Sequence, residues 1–466
     1  MKNLLWGIFF FLLSADLPAA TEFGISDGRW IYRGSPRLTA TEISKLGATC
    51  IYLETKWSSY EPRQGQYDFR DLTARIQECK KMELQPCIRL KTGINAWATV
   101  AQDRATSPGV GMVTSLMPRR MADWTAYVAE VVKVCRPMGV VRYAILNEAE
   151  AADHFQGTPQ QYHELLQASY HAIKTADSQA IVLDHGFTSL GLGYAYAGWL
   201  LDQKQDAKAV QFIQNYLRDY YGPPVTGIED LRQRYNKSAW ARGGYEYLVK
   251  GDYFRLNRDC FDELQLHLYD DYSESLEAVQ WLRERMREAG AEKPFAVWEA
   301  GTHMRKDSWN EQAQALRSIK KCIMLAGEGA TQVMYLLSAE PTADYLKTDP
   351  LFARRALSVE PLCVWMSNEW KMTPTGEAFA VMTAQCKDAT AIQRVDLPGA
   401  VMCYEIKSPQ AKRWILWDDS PKPAALALPD VLHTKQIACR DLYGKALTVI
   451  PREIKGLMYA EELQHD

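Results

Sequence analysis

The chain lacks a metal signature. Its eight histidines form no His-Glu-x-x-His, and none of its ten cysteines stands in a Cys-x-x-Cys pair, so neither a catalytic nor a structural zinc site has a framework. It lacks a bias of charge: 54 Lys and Arg against 57 Asp and Glu leave a formal net charge of −3, which gives a polyanionic partner such as nucleic acid no basis. No strand-like run is followed at once by Gly-x-Gly-x-x-Gly. The isolated Gly191-Leu-Gly193 reads as a flexible loop, which argues against an open doubly wound sheet. Beyond the first residues no apolar run approaches the roughly 20 residues that a membrane span needs. Internal repeats and low-complexity tracts are absent as well. The cysteines are scattered, and Cys50 and Cys87 fall inside predicted strands, where a free thiol packs as a small hydrophobe. Buried thiols with at most one disulfide are expected, not a disulfide framework.

What is present suits a large folded enzyme: 466 residues, 47% of them hydrophobic, supply ample core. The start carries Lys2, an uncharged apolar stretch over 4–13, and the small residues Ala19 and Ala20 after Pro18. This reads as a secretory signal peptide over 1–20, so the mature protein is expected to be secreted or periplasmic, without a membrane span. The stretch is short and closely followed by Asp16, which makes an uncleaved anchor the weaker alternative.

After the signal, strand-like runs at 23–26, 48–54, 85–90, 140–146, 180–184, 261–269, 295–299 and 332–337 alternate with amphipathic stretches such as that containing Leu72 and Ile76. Eight near-continuous apolar strands alternating with helices predict an α/β fold, a (β/α)₈ TIM barrel over 21–380 whose strands are buried on both faces. A long connection at about 187–260, rich in tyrosine and tryptophan, predicts a helical insertion over one end. Its rings either make that insertion's own core or line sugar subsites. Past Pro374 the pattern changes to short alternating runs, among them 401–406, 414–417, 425–428 and 446–450. These predict a small C-terminal β-sandwich over 381–466.

Two glutamates close predicted barrel strands: Glu148 after the fourth and Glu299 in the seventh. Carboxylates at the carboxyl ends of barrel strands stand on the face where such barrels do chemistry, and two of them can divide the work of glycoside cleavage. Capping of strands or pairing with arginine is the bland alternative. On the sixth strand His267 and Tyr269 share parity and so a face. Trp57 and Trp97 follow strands two and three as candidate sugar-stacking platforms, with core packing the alternative. Arg89 and Lys91 suit either an acidic sugar or the barrel's own carboxylates.

With the strands placed, the chain resembles the clan A retaining glycoside hydrolases, in particular the β-xylosidase and iduronidase family, family thirty-nine. The resemblance rests on Asn147-Glu148 and Glu299 and on the segments 57–69 and 91–97. The tail motifs at 414–418 and 441–444 bear on the appended sandwich. It implies that Glu299 is the nucleophile and Glu148 the acid/base, that Asn147 bonds the sugar's 2-hydroxyl, and that His267 or Tyr269 bonds the nucleophile. That division needs Glu148 held protonated by burial and nearby negative charge, and Glu299 held ionised by hydrogen-bond donors. Three departures from the family pattern stand out: Ala149 where proline is common, Trp298 where a smaller residue is usual, and a strand-eight end from Tyr335 to Glu340 without the usual tryptophan. The expected activity is retaining hydrolysis of a β-linked glycan, oligosaccharide or polysaccharide, with no cofactor and no metal. A transglycosidase using the same residues, a non-catalytic carbohydrate-binding barrel and a structural envelope protein are the alternatives. Sugar, linkage, mode of action and oligomeric state stay open.

Overall fold

Eight predicted runs become eight parallel strands in the computed structural model, which describes residues 20–26, 38–100, 114–219, 223–305, 309–336, 339–340, 357–358, 360–397, 401–420, 437–447 and 456–463. They are β1 Glu22–Ser26, β2 Cys50–Lys56, β3 Gln85–Lys91, β4 Arg142–Ile145, β5 Ile181–Leu183, β6 Leu264–Leu268, β7 Phe295–Ala300 and β8 Ala330–Tyr335. Their order is β5-β4-β3-β2-β1-β8-β7-β6, and the parallel bridges Leu183 to Glu263 and Phe187 to Leu266 join the two edges. The sheet thus closes into the expected TIM barrel.

Strand parity divides the side chains into two populations. Ile51, Leu53, Ile88, Leu90, Tyr143, Ile145, Val297 and Val333 face outward into the main core shared with the helices. Cys50, Tyr52, Cys87, Ala144, Leu183, Ala296, Trp298 and Met334 form a separate cluster inside the barrel. Burial on both faces is why these strands read as continuous apolar runs. The interior is filled tightly enough that a Cβ at Gly24 would lie 2.5 Å from Cys50 Sγ. All ten cysteines are free and buried. Below this cluster Arg142 pairs with Glu22 (3.1 Å) and Glu263 (3.4 Å), closing the floor with charge.

β4 is shorter than the sequence pattern predicts. It ends at Ile145, and Leu146 and Glu148 take left-handed backbone angles, with φ of 69° and 49°. The chain leaves the sheet there, and Glu148 N donates to His185 O (2.8 Å). Such backbone is costly for a non-glycine residue and collects at functional sites. The helix that follows, Pro159–Ala176, opens on a capping box of Thr158 and Gln161 with proline in its first turn.

The expected insertion is helical, comprising Ser189–Asp202, Asp206–Tyr216, Ile228–Lys237, Ala239–Tyr245, the π-helical turn Glu246–Lys250 and Tyr253–Asn257. Tyr194, Tyr196, Tyr216, Tyr247 and Tyr253 are buried in the main core that the insertion shares with the barrel, Tyr247 and Tyr253 against Tyr162 and Tyr196 against Trp281, so these rings serve packing. Gly243 lets the insertion approach the loop after β4 backbone to backbone, and Gly244 lets two of its own helices do the same. A Cβ at either would stand 2.0 Å from a carbonyl oxygen, that of Glu150 or Gly191.

The C-terminal part is antiparallel: β9 Ala391–Val395, β10 Val401–Lys407, β11 Arg413–Asp418, β12 Ile437–Asp441, β13 Ala446–Leu447 and β14 Leu457–Glu462, in the order β9-β10-β11-β14-β12-β13. One face lays Tyr404, Ile415, Trp417 and Tyr459 on the main core, with Trp417 Nε1 donating to Tyr272 Oη (3.0 Å). The other gathers Cys403, Trp414, Leu416, Cys439, Met458 and Ala460 into a second small core. This fits the expected β-sandwich. The helix Pro374–Gln385 leads into it from the barrel side. The predicted run at 425–428 and the expected signal peptide, apart from its last residue, lie outside the described residues. No helix among the described residues is long and apolar enough to cross a membrane.

Candidate active site

At the carboxyl ends of the strands two carboxylates converge on one imidazole. Oxygens of Glu148 and Glu299 and a ring nitrogen of His267 all lie within 4.8 Å of one another. Glu148 arrives from the left-handed turn after β4. Glu299 arrives through a bulge in β7. Leu266 pairs with Val297 but His267 pairs with Glu299, so Trp298 is the extra residue. Strict alternation would turn Glu299 away from Trp298's side of the sheet. With the bulge both face inward: Trp298 stacks on Tyr52 at 5.8 Å and donates to Gln332 Oε1 (3.0 Å), while Glu299 reaches the site.

Glu299 is gripped by donors from β2, from β3 and from the residue that follows β6. Arg89 Nη1 stands 2.9 Å from Oε1, Tyr52 Oη donates to the same oxygen at 3.2 Å, and Tyr269 Oη donates to Oε2 at 2.6 Å. Burial alone would raise its pKa, but His267, the Arg89 guanidinium and the Tyr269 hydroxyl outweigh burial and the charge of Glu148, and hold it below the usual range. Burial first, and then the negative charge of Glu299, keeps the phenols of Tyr52 and Tyr269 protonated and therefore donors.

Glu148 is bound on both oxygens by histidine. His267 Nδ1 lies 2.6 Å from Oε1 and His154 Nδ1 lies 2.8 Å from Oε2. Burial pushes the carboxyl up, but the charge and hydrogen bond of His154, followed by those of His267, bring it well below the usual carboxylate range. This corrects the expectation that burial keeps Glu148 protonated. Burial opposes charge on His154 too, yet Glu148 beside it raises the imidazole to about 9. The other nitrogen of His267 faces Gln265 Oε1 and Arg89 Nη2, both at 3.0 Å, so one network joins the two carboxylates.

A third glutamate behaves oppositely. Glu150 accepts from Thr188 N (2.6 Å) and faces His185, and burial, reinforced by the charge of Glu148, raises it to about 8. Between the unfolded glutamate value of about 4.3 and that figure, the folded state holds a proton that the unfolded chain has released, so stability falls as pH rises. Replacing Glu150 with glutamine is expected to flatten the decline in thermal stability between about pH 5 and about pH 8, by up to ~1.4 kcal/mol per pH unit. An unaltered slope in a melting series would mean that Glu150 is ionised.

The remaining sequence candidates divide. Asn147 lies in the site, its side-chain amide 2.8 Å from His154 Nδ1. Trp57 does not reach it. The ring is 0% exposed among Trp97, Trp124 and Tyr127, with Nε1 donating to Glu61, and an indole with no open face cannot stack on a sugar. Trp97 is partly buried and donates to Glu61 O (3.2 Å). Arg89 and Lys91 are paired internally, Lys91 with Glu54 at 3.2 Å, as the second of their two readings expects. The sequence offered no sign of His154, Tyr52 or Gln265. His154 was findable only as a histidine in the loop that follows Glu148. Glu148, His267 and Glu299 are also, among the described residues, a set near enough to share a cation. The Arg89 guanidinium already occupies that charge position beside Glu299, and a metal ion there would be repelled by it.

No family model matches the chain, and no curated protein matches it. Solved structures do. A family 39 glycoside hydrolase from the gut symbiont Bacteroides cellulosilyticus WH2 is 13% identical, with a TM-score of 0.60 over 96% of this chain and 82% of the other. A glucosidase from Croceicoccus marinus is 13% identical, with a TM-score of 0.54 over 96% of each chain. A family 39 β-xylosidase from Caulobacter crescentus is 11% identical, with a TM-score of 0.54, again over 96% of each. At these identities the likeness is one of fold, and it runs over 96% of this chain and 82% to 96% of the others.

Proposed function

We propose that the protein is a glycoside hydrolase that cleaves a β-linked glycan or oligosaccharide with retention of configuration. The observation that carries this reading is the approach of Glu148 and Glu299 oxygens to within 4.8 Å at the strand ends. Such closeness suits a carboxylate that attacks the sugar directly, whereas an inverting pair stands roughly 6.5 to 9.5 Å apart to admit a water. In this reading Glu299, ionised and aimed by Arg89, Tyr52 and Tyr269, attacks the anomeric carbon and forms a glycosyl ester. Glu148 protonates the departing oxygen and then activates water. Asn147 bonds the 2-hydroxyl as the oxocarbenium-like transition state develops. His267, between the carboxylates, keeps both oriented. The fold shared with the glucosidase and the β-xylosidase supports this choice of reaction, and the N-terminal stretch supports a secreted or periplasmic location.

The test is the configuration of the first-formed product, followed by proton NMR while an aryl β-glycoside is hydrolysed. Retention is expected, with the β-hemiacetal appearing before mutarotation. First appearance of the α-anomer would overturn the double displacement. Binding of glycans without turnover of any aryl β-glycoside would replace the enzyme with the binding-barrel reading.

A further inference from the structure

Glu148 stands in its resting place as a carboxylate between two imidazoles, although its proposed first act is to give a proton away. The source of that proton is visible beside it. His154 Nδ1 lies 2.8 Å from Oε2 and 2.8 Å from the side-chain amide of Asn147, which has to present its oxygen to the ring when Nδ1 carries the proton, and the imidazole is 25% exposed, near enough to solvent to exchange protons. The position is built. His154 N and Phe155 N both donate to Ala151 O, at 2.9 and 3.2 Å, and Ala151 N donates to Glu148 O at 2.9 Å, so acid and imidazole ride on one turn. Thr114 Oγ1 donates to His154 O (3.1 Å), tying that turn to the loop after β3. On the other side the ring of Trp240, from the helical insertion, meets the imidazole edge to face at 6.1 Å.

We infer that His154 is a positioning residue that stores the catalytic proton for Glu148, making the working acid a histidine–glutamate pair. The inference rests on the proposed glycosidase reading. In the first step the His154 Nδ1–H bond breaks and a Glu148 O–H bond forms. That carboxyl passes the proton to the glycosidic oxygen as the anomeric C–O bond breaks, with its electron pair leaving on the aglycone and Glu299 bonding to the anomeric carbon. His154 is left neutral. In the second step water gives a proton to Glu148 and its oxygen to the anomeric carbon, Glu299 is released, and Glu148 returns the proton to His154. Nothing is consumed beyond glycoside and water. The groups that set the balance are Lys91 from β3 and Asp153 facing His154, and Glu150, His185, His267 and Glu299 facing Glu148.

A pair that shares one proton loses it only when His154 titrates, near pH 9, well above where a lone glutamate would fail. His154→Gln keeps a polar side chain of similar reach without the charge. It is expected to move the alkaline limb of kcat/KM down towards the carboxyl range and to slow aryl glycosides with poor leaving groups by about 10²-fold, while dinitrophenyl glycosides, which need no acid, stay within about threefold. An unmoved alkaline limb in a folded His154→Gln protein would overturn the proposal. A second readout needs no substrate. With eight histidines in the chain, ¹⁵N-histidine spectra can be assigned by substitution. His154 is expected to stay charged past pH 8 in the parent protein and to titrate in the ordinary imidazole range, about 6.5, in Glu148→Gln. Ordinary titration in the parent overturns the pair. If spectra show the pair but no aryl glycoside is hydrolysed, the glycosidase reading has failed and the ion pair stands alone.

Discussion

Replacing Glu299 with alanine is expected to lower kcat on aryl β-glycosides by on the order of 10⁵-fold, about 7 kcal/mol of lost transition-state stabilisation. The side chain removed is the one whose two oxygens take donors from Arg89, Tyr52 and Tyr269, and it leaves an anion-shaped space beside a buried guanidinium. Azide suits that space in charge and size. Added to Glu299→Ala it is expected to attack the anomeric carbon from the vacated side in a single displacement, giving the α-glycosyl azide. Added to Glu148→Ala it would enter from the leaving-group side after the glycosyl ester has formed and give the β-azide. The two products assign the two roles independently of any rate. Undiminished activity in Glu299→Ala, or the β-azide from it, would remove Glu299 from the nucleophile's place.

Replacing Arg89 with methionine is expected to destabilise the fold by about 3 to 5 kcal/mol and to damage activity at the same time. Arg89 is 2% exposed, forks between Glu299 and Gln265 at 2.9 and 3.0 Å, and lies over the Tyr52 ring at 4.3 Å. Methionine fills much of the volume but leaves Glu299 buried beside Glu148 without its compensating cation. A lone buried carboxylate takes up a proton, so the acid limb of the pH–rate profile should move upward. Lysine is no remedy, because a single ammonium cannot span the fork. Pairing Arg89→Met with Glu299→Gln removes both charges together, and that double variant is expected to regain part of the stability lost in Arg89→Met. Equal instability of single and double variants in denaturant titrations would show that the loss comes from packing and not from the stranded charge.

The barrel was legible because its signal is repeated. Each strand is buried on both faces, so each leaves an apolar run, and the runs at 23–26, 85–90 and 295–299 match β1, β3 and β7 nearly end to end. Boundaries were misread where a strand gives way to special backbone. The run at 140–146 continues past Ile145 in hydrophobicity, but Leu146 already turns left-handed. Trp57 stayed open between stacking platform and core for a related reason. An indole after a strand looks the same in sequence whether its face is open or packed against Trp97 and Tyr127.

The sequence by itself determined the alternation of strands and helices, the change to antiparallel pattern after Pro374, and the placing of Glu148 and Glu299 at the ends of strands four and seven, because these follow from periodicity and from order along the chain. Only the tertiary structure decided the state of the carboxylates. Glu148 and Glu150 stand in the same short loop. One meets two imidazoles and is driven acidic, while the other meets an amide N–H and a buried neutral histidine and is raised to about 8. Charge, burial and donor count are sums over neighbours brought from other strands, so the protonation of the site emerges only when the barrel closes.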